Sequence, residues 1–262
     1  MQHEVRDFYD TLAGRYRLIF DDWDVSIQRQ ANILGPLIES RLAKRALRIL
    51  DCACGIGTQA LGLAARGHLV TASDISFAEL EQARSEARKR GLPIDCYTSD
   101  MTSLAEIPGG KFDAVIAMDN ALPHLDFDQL AVGAEAIASK LRPGGLFMAS
   151  IRDYDQLLVE KPAILPPAFY GPAGARRIVH QIWDWMSEDS YRMHLYISTE
   201  SAPQWQTSHQ TCLYHAIRRD ALSGVLTQAG FRDLQWLHPP QSGFYQPIVL
   251  ATLADESSLP PC

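Results

Sequence analysis

Residues 49–60 read Ile-Leu-Asp-Cys-Ala-Cys-Gly-Ile-Gly-Thr-Gln-Ala: an apolar run, two glycines one residue apart, then a helix-forming stretch. That order predicts a buried strand, a sharp turn and a helix. Gly55 and Gly57 let the backbone turn tightly and come close to a ligand, where any Cβ would obstruct. The next apolar run ends at Asp74, an acid placed to bind ribose hydroxyls at the end of a second strand. The glycine turn and the acid together point to a nucleotide-type cofactor site on an α/β sheet.

The flanking residues narrow the cofactor. Gly55-Ile-Gly57-Thr-Gln-Ala60 fits the dinucleotide fingerprint G-x-G-x-x-G/A, in which a pyrophosphate sits on a helix N-terminus. Asp51 stands just before the turn, where it repels a pyrophosphate and suits an ammonium or sulfonium centre. A nicotinamide oxidoreductase is therefore disfavoured.

Beyond this motif the chain keeps the rhythm of a doubly wound, Rossmann-like parallel sheet. Strand-like runs at 47–52, 68–74, 94–98, 112–118 and 145–151 alternate with helical stretches at 58–66, 76–90 and 129–141. Breakers separate them at Gly67, at Gly91-Leu-Pro93 and at Arg142-Pro-Gly-Gly145. After residue 151 the period changes. Ile178–Met186, Tyr191–Ser198 and Gln206–Ile217 read as extended runs of an inserted antiparallel lobe. A last helix over Arg219–Gln228 and strands near 232–238 and 246–253 close a seven-stranded sheet. The expected organisation is a core of 1–151 plus 218–254, with 1–46 as an N-terminal helical lid, a substrate lobe of 152–217 and a frayed tail from 255 to 262.

The lobe is rich in aromatic residues: Tyr170, Trp183, Trp185, Tyr191, Tyr196, Trp205 and Tyr214. Period-two alternation puts Val179, Gln181, Trp183 and Trp185 on one face, which must be covered by core or by a ligand. Aromatic residues so placed pack a core or attract a cation.

Composition limits the partners. A formal net charge of −7 offers no broad attraction for nucleic-acid phosphates. No uncharged apolar stretch reaches the ~20 residues of a membrane helix, and the first residues lack the apolar core of a signal peptide, so a cytoplasmic location is expected. Five cysteines (Cys52, Cys54, Cys96, Cys212 and Cys262) are an odd set for a disulfide framework and are read as thiols. Cys52-x-Cys54 has no second Cys/His pair to complete a metal site and is read as core packing.

The run Leu50-Asp51-x-Ala53-Cys54-Gly55-x-Gly57-Thr58 resembles motif I of class I S-adenosylmethionine-dependent methyltransferases. Further segments resemble the glycine and sarcosine N-methyltransferase branch: Met118-Asp-Asn120-Ala-Leu-Pro-His124-Leu125, Ile151-Arg152-Asp-Tyr154-Asp155, the N-terminal Phe8-Tyr9-Asp and Arg15-Tyr16, and Tyr245-Gln-Pro247. The resemblance implies S-adenosylmethionine as cofactor, with S-adenosylhomocysteine as product. It implies that Asp51, Ala53, Gly55 and Gly57 line the methionine moiety and ribose, that Asp74 and Ile75 hold the ribose, and that Asp100 and Met101 flank the adenine. Tyr16 and Asp119 join this cofactor set.

For the acceptor, the resemblance implies Asn120 and Arg152 as substrate contacts, with Tyr154 and Tyr245 beside them; His124 is either a packed histidine near the pocket or a candidate base. Asn120 falls at the end of a parallel strand, where its side-chain carbonyl can orient an amine hydrogen; the alternative is a turn cap. Arg152 can grip a carboxylate in two-pronged fashion or pair with Asp153 or Asp155 on the surface. The expected reaction is methyl transfer to a small amine or amino acid of the glycine or sarcosine kind. An O- or S-methyltransferase of a specialised metabolite, and a non-catalytic adenosyl-ligand-binding protein, are the other readings. Asp119 and Pro123 depart from the family pattern, and the extra carboxylate suits an acceptor larger or more cationic than glycine. The expected partner is a small molecule, with no metal, nucleic acid or membrane; a homo-oligomer is left open.

Overall fold

A computed structural model describes residues 2–201 and 203–255. The expected tail residues 256–262, with Cys262, lie outside the described residues. Five parallel strands form the centre: β1 (Arg48–Asp51), β2 (Leu69–Asp74), β3 (Ile94–Thr98), β4 (Phe112–Ala117) and β5 (Leu141–Ser150). The chain runs outward from β1 to β2 and β3, then returns to place β4 on the other side of β1. The reversal of strand order falls between β1 and β4, and α/β sheets open a ligand crevice at the carboxyl ends of such a pair.

Two late strands extend the sheet beyond β5. Numbered after the four lobe strands, they are β10 (Phe231–Leu237) and β11 (Ile248–Leu253), and the sheet order is β10-β11-β5-β4-β1-β2-β3. Only β11 runs against the rest, antiparallel to both β5 and β10. The Arg142-Pro-Gly-Gly145 turn expected before the fifth strand lies inside β5, which begins at Leu141 opposite Phe112 and shifts register before Leu146.

Alternation along the strands feeds two apolar layers. Ile49, Ala114, Ile116, Leu146 and Met148 face one side with α2 (Trp23–Leu42) and α3 (Thr58–Ala65), while α4 (Phe77–Lys89) adds Leu80. Leu50, Val115, Phe147 and Ala149 face the other, under α5 (Phe127–Lys140) and α7 (Arg219–Gln228). Leu34 and Ile38 of α2 are fully buried in the first layer. This corrects the lid of 1–46: α2 is a sheet-flanking helix, and only α1 (Gln2–Leu12) and the short turn Tyr16–Ile19 are left to roof the crevice.

The lobe is a second, antiparallel sheet in the order β6 (Ala168–Tyr170), β7 (Arg177–Trp185), β8 (Ser190–Ser201), β9 (Gln204–His215), preceded by the short α6 (Tyr154–Glu160). Its inward residues Val179, Trp183, Tyr191, Met193, Leu195 and Tyr214 belong to the same buried cluster as the α5 and α7 face. Trp183 stacks on Tyr191 at 4.1 Å and Tyr191 on Tyr214 at 5.5 Å. The aromatic set splits by strand parity, for Tyr196 stacks instead on His180 and His209, away from this cluster, and Trp205 is exposed.

At the amino ends of the strands, Asp113 is buried yet fully answered: it accepts from Lys44 Nζ, Arg142 Nε and the Arg48 N–H. Burial alone raises a carboxyl pKa, but these three donors outweigh it and hold Asp113 below its ordinary value.

Gly57, the N-cap of α3, has φ +90°, and a Cβ there would stand 3.1 Å from the Ala83 Cβ. Gly57→Ala is expected to cost about 1–3 kcal/mol through backbone strain and crowding, read as a lower midpoint in urea denaturation; an unchanged midpoint would show that the turn relaxes freely.

Candidate active site

The carboxyl ends of β1, β2 and β4 open on a cavity roofed by α1 and the turn after it. Its floor is the glycine turn, with Gly55 at φ +52°, and the turn is held by Asp74: Oδ2 accepts from the Gly55 N–H at 2.8 Å and Oδ1 from the Ser76 N–H at 2.8 Å. Ala53, Gly55, Asp74 and Ile75 line the cavity, as do Asp100 and Met101 beyond β3. Asp100 Oδ1 accepts from the Thr102 N–H and hydroxyl, which fixes the start of that loop. Gly57 shapes the turn from behind, outside the lining.

Asp51 also sits behind the lining. It is 0% exposed, and neither carboxylate oxygen has a hydrogen-bond partner of ordinary geometry. Burial pushes its pKa up to about 8; the backbone N–H groups of Ala53 and Ala60 pull the other way and offset only part of the cost. Asp74, also buried, is raised to about 6 by burial against the pull of its backbone donors.

Among the described residues four carboxyl groups line this cavity, Asp74, Glu79, Asp100 and Asp119, and no Lys or Arg does. A wall of this kind is hostile to a pyrophosphate and favourable to a cation.

A second cavity of about 580 Å³ lies under the lobe, walled by apolar side chains that include Phe8, Leu12, Leu157, Trp183 and Leu195, together with Arg152. Three residues, Tyr9, Tyr16 and Asp119, line both cavities and so mark where they meet. Asp119 is oriented by Gln59 Nε2 at 2.7 Å and the Tyr245 hydroxyl at 2.6 Å. It and Asn120 follow β4 with φ of +56° and +69°, a left-handed pair that Asp and Asn adopt more readily than other side chains do.

Arg152 donates to the Tyr191 hydroxyl and to Gln181 Oε1, each at 3.0 Å, and lies 4.7 Å over the Trp183 ring. Asp153 and Asp155, the surface partners considered from the sequence, pair with Arg219 instead. Among the described residues no carboxylate forms an ion pair with Arg152, so neutral groups alone hold this guanidinium at the cavity wall.

Three sequence candidates stand elsewhere than expected. Asn120 is 3% exposed and behind both cavities: its Oδ1 accepts the Arg152 N–H and its Nδ2 donates to the Tyr154 hydroxyl, so the carbonyl expected to orient an amine is already engaged. Tyr154 is fully buried, its hydroxyl shared with Asn120 and Tyr191. Both are geometric supports of Arg152 rather than cavity walls. His124 lines the first cavity, but its Nε2 faces the Tyr9 hydroxyl at 2.7 Å and its Nδ1 the Cys212 thiol at 3.6 Å. Burial and then the Arg152 charge push its pKa down to about 3, so it is a neutral ring and a weak base. Cys52 and Cys54, read as core packing, are buried in opposite layers and also touch the first cavity.

Two wall residues carry more than the sequence reading gave them. Tyr9 entered it only within the N-terminal segment of the resemblance, and nothing in its spacing shows that it reaches both cavities. Glu79 was hidden by its own local pattern, Ser76-x-x-Glu79, which reads as a helix capping box.

Comparison with known proteins agrees with this geometry. A family model described as a methyltransferase domain matches residues 49–145. Residues 49–145 are therefore a methyltransferase domain. The matched stretch runs from β1 into β5 and covers the glycine turn, Asp74 and the Asp119 loop. A glycine N-methyltransferase of Rattus norvegicus is 34% identical over 123 residues, 42% of each chain. A ubiquinone biosynthesis O-methyltransferase of Xanthomonas axonopodis pv. citri (strain 306) is 32% identical over 151 residues, 55% of this chain and 59% of that one. This chain thus spans about half the length of the curated relatives it matches. Among solved structures, an amino pentose methyltransferase from Micromonospora echinaspora superposes with a TM-score of 0.76 at 19% identity, over 91% of this chain and 94% of that one. The fold therefore extends well beyond the matched stretch and takes in the lobe.

The raised acids of the methyltransferase domain carry a pH signature. Asp51 has a folded pKa of about 8 against about 3.9 unfolded, so the folded state holds the proton more tightly and its contribution to stability is lost as pH rises from the lower value through the upper. His124, neutral in the fold, opposes this through the proton it takes up on unfolding, an effect that fades above the ordinary histidine value of about 6.5. The denaturation midpoint of the ligand-free protein should fall between about pH 6.5 and 8, less steeply in Asp51→Asn; equal slopes would remove Asp51 as the cause.

Proposed function

We propose that the protein transfers a methyl group from S-adenosylmethionine to the nitrogen of a small, anionic amine. The observation that carries this reading is the acid-lined cavity without Lys or Arg at the carboxyl ends of β1 and β4, joined through Tyr9, Tyr16 and Asp119 to a second cavity that presents Arg152. The acids of that wall and the Gly55 turn, where a Cβ would crowd Glu79 Oε2, fit a ligand that brings positive charge close to the backbone. Gly55 and Ala53 would hold its amino-acid portion, Asp74 its ribose hydroxyls, and Asp100 and Met101 its base. The cofactor supplies an already electrophilic methyl group, so the chain's contribution is alignment and exclusion of water.

The acceptor is read from the second cavity. Arg152, held over the Trp183 ring and supported by Tyr191, Gln181, Asn120 and Tyr154, offers a fixed fork for a carboxylate or similar anion. A cavity of about 580 Å³ falls in the range that encloses drug-sized ligands, roughly 300–1,000 Å³. Its apolar walls suit a hydrocarbon or ring body. This moves the acceptor away from glycine or sarcosine toward a bulkier carboxylated amine. Nitrogen is favoured over oxygen because the junction offers no strong base: His124 is neutral and tied to Tyr9, whereas a neutral amine attacks unaided and sheds its proton afterwards.

Calorimetry with S-adenosylhomocysteine, with NADH as control, is expected to show saturable binding of the adenosyl ligand alone; NADH binding in its place would overturn the reading. Asp74→Asn should weaken S-adenosylhomocysteine by about 10–100-fold, the worth of charge-assisted hydrogen bonds. Arg152→Ala should leave that affinity within a few-fold and raise the acceptor KM at least tenfold. In a panel of carboxylated amines, those with apolar side groups should be methylated in preference to glycine.

A further inference from the structure

Ser76 is the N-cap of α4, and its side chain accepts from the Glu79 N–H at 3.2 Å. In a capping box the glutamate three residues on would answer by accepting from the Ser76 N–H. Here Asp74 Oδ1 takes that donor at 2.8 Å. The Glu79 side chain is displaced from its local role: it is 1% exposed, neither oxygen has a hydrogen-bond partner, and it lines the first cavity. Its Oε2 would stand 3.0 Å from a Cβ at Gly55, so the carboxyl lies against the same glycine whose N–H Asp74 holds. Burial, with the Asp74 and Asp10 charges beside it, raises its pKa well above the usual glutamate range.

A buried carboxyl without a partner costs stability, and such groups persist where a ligand completes them. A carboxylic acid both donates and accepts, so beside the Asp74 carboxylate it makes a pair matched to two adjacent hydroxyls. We propose that Glu79 is a second diol-binding residue of the cofactor cavity, sharing the ribose hydroxyls of the adenosyl ligand with Asp74. This rests on the adenosyl reading given above. Glu79 reaches the ligand from the first turn of α4, while Asp74 reaches it from the end of β2.

The test uses the full-length protein, S-adenosylhomocysteine, and its 2′-deoxy and 3′-deoxy analogues, with affinities by calorimetry and thermal melting without ligand. Glu79→Met is expected to bind S-adenosylhomocysteine at least tenfold more weakly than wild type. One deoxy analogue should bind wild type weakly yet lose its penalty in Glu79→Met, while the other keeps its penalty because Asp74 is intact. Glu79→Met should also melt at a higher temperature than wild type without ligand, the opposite of what loss of a purely structural residue gives. Glu79→Gln, which keeps a donor and an acceptor, should retain most of the affinity and serves if the methionine variant does not fold. Wild-type binding of S-adenosylhomocysteine with both deoxy penalties unchanged in the variants would overturn the role of Glu79 alone. No binding by folded wild type would overturn the adenosyl reading and this proposal with it.

Discussion

One carboxylate sets the geometry of the site. Asp74 receives backbone N–H groups from two separate turns, Gly55 at the end of the first strand's turn and Ser76 at the start of α4. These bonds fasten the glycine turn to the neighbouring helix, so the floor of the cavity and its side wall hold a fixed relation. They also displace Glu79 from the place its local sequence would give it. The arrangement is anchored from outside by α1, where Asp10 Oδ1 accepts from the Ser76 hydroxyl at 2.6 Å and from the Ala78 N–H at 3.2 Å.

The two ends of the sheet show how environment separates a structural acid from a site acid. Asp113 and Asp51 are both buried at strand ends. Asp113, at the amino end, has two cations and a backbone donor and keeps a lowered pKa, while Asp51, at the carboxyl end, lacks such partners and is raised to about 8. Net charge could not distinguish them, and sequence position did so only through the crevice that strand order creates.

The central strands and helices were legible because their period and their breakers agree: the glycine turn, Asp74 and the α7 boundaries fall where the pattern puts them. Residues acting through others were not. Asn120 and Tyr154 appear in motifs that resemble substrate contacts, yet their polar atoms are spent on Arg152 and Tyr191, a fact of side-chain direction across three segments. α2 was read as lid because nothing local tells a helix that flanks a sheet from one that covers a cavity; its Leu34 and Ile38 decide it only once the sheet is present. The lobe's aromatic residues divided by strand parity, which the sequence shows, but which face met the core depended on the packing of two sheets.

Residues 2–20 tie the molecule's parts together at several points. Glu4 pairs with Arg192 of the lobe, Asp10 caps the Ser76 turn, and Arg177 of the lobe donates to the Phe20 carbonyl. Tyr9 and Tyr16 from this same segment wall both cavities. The roofs of the two chambers are therefore not independent: because the same two side chains close both, any displacement of this segment that uncovers one chamber uncovers the other as well.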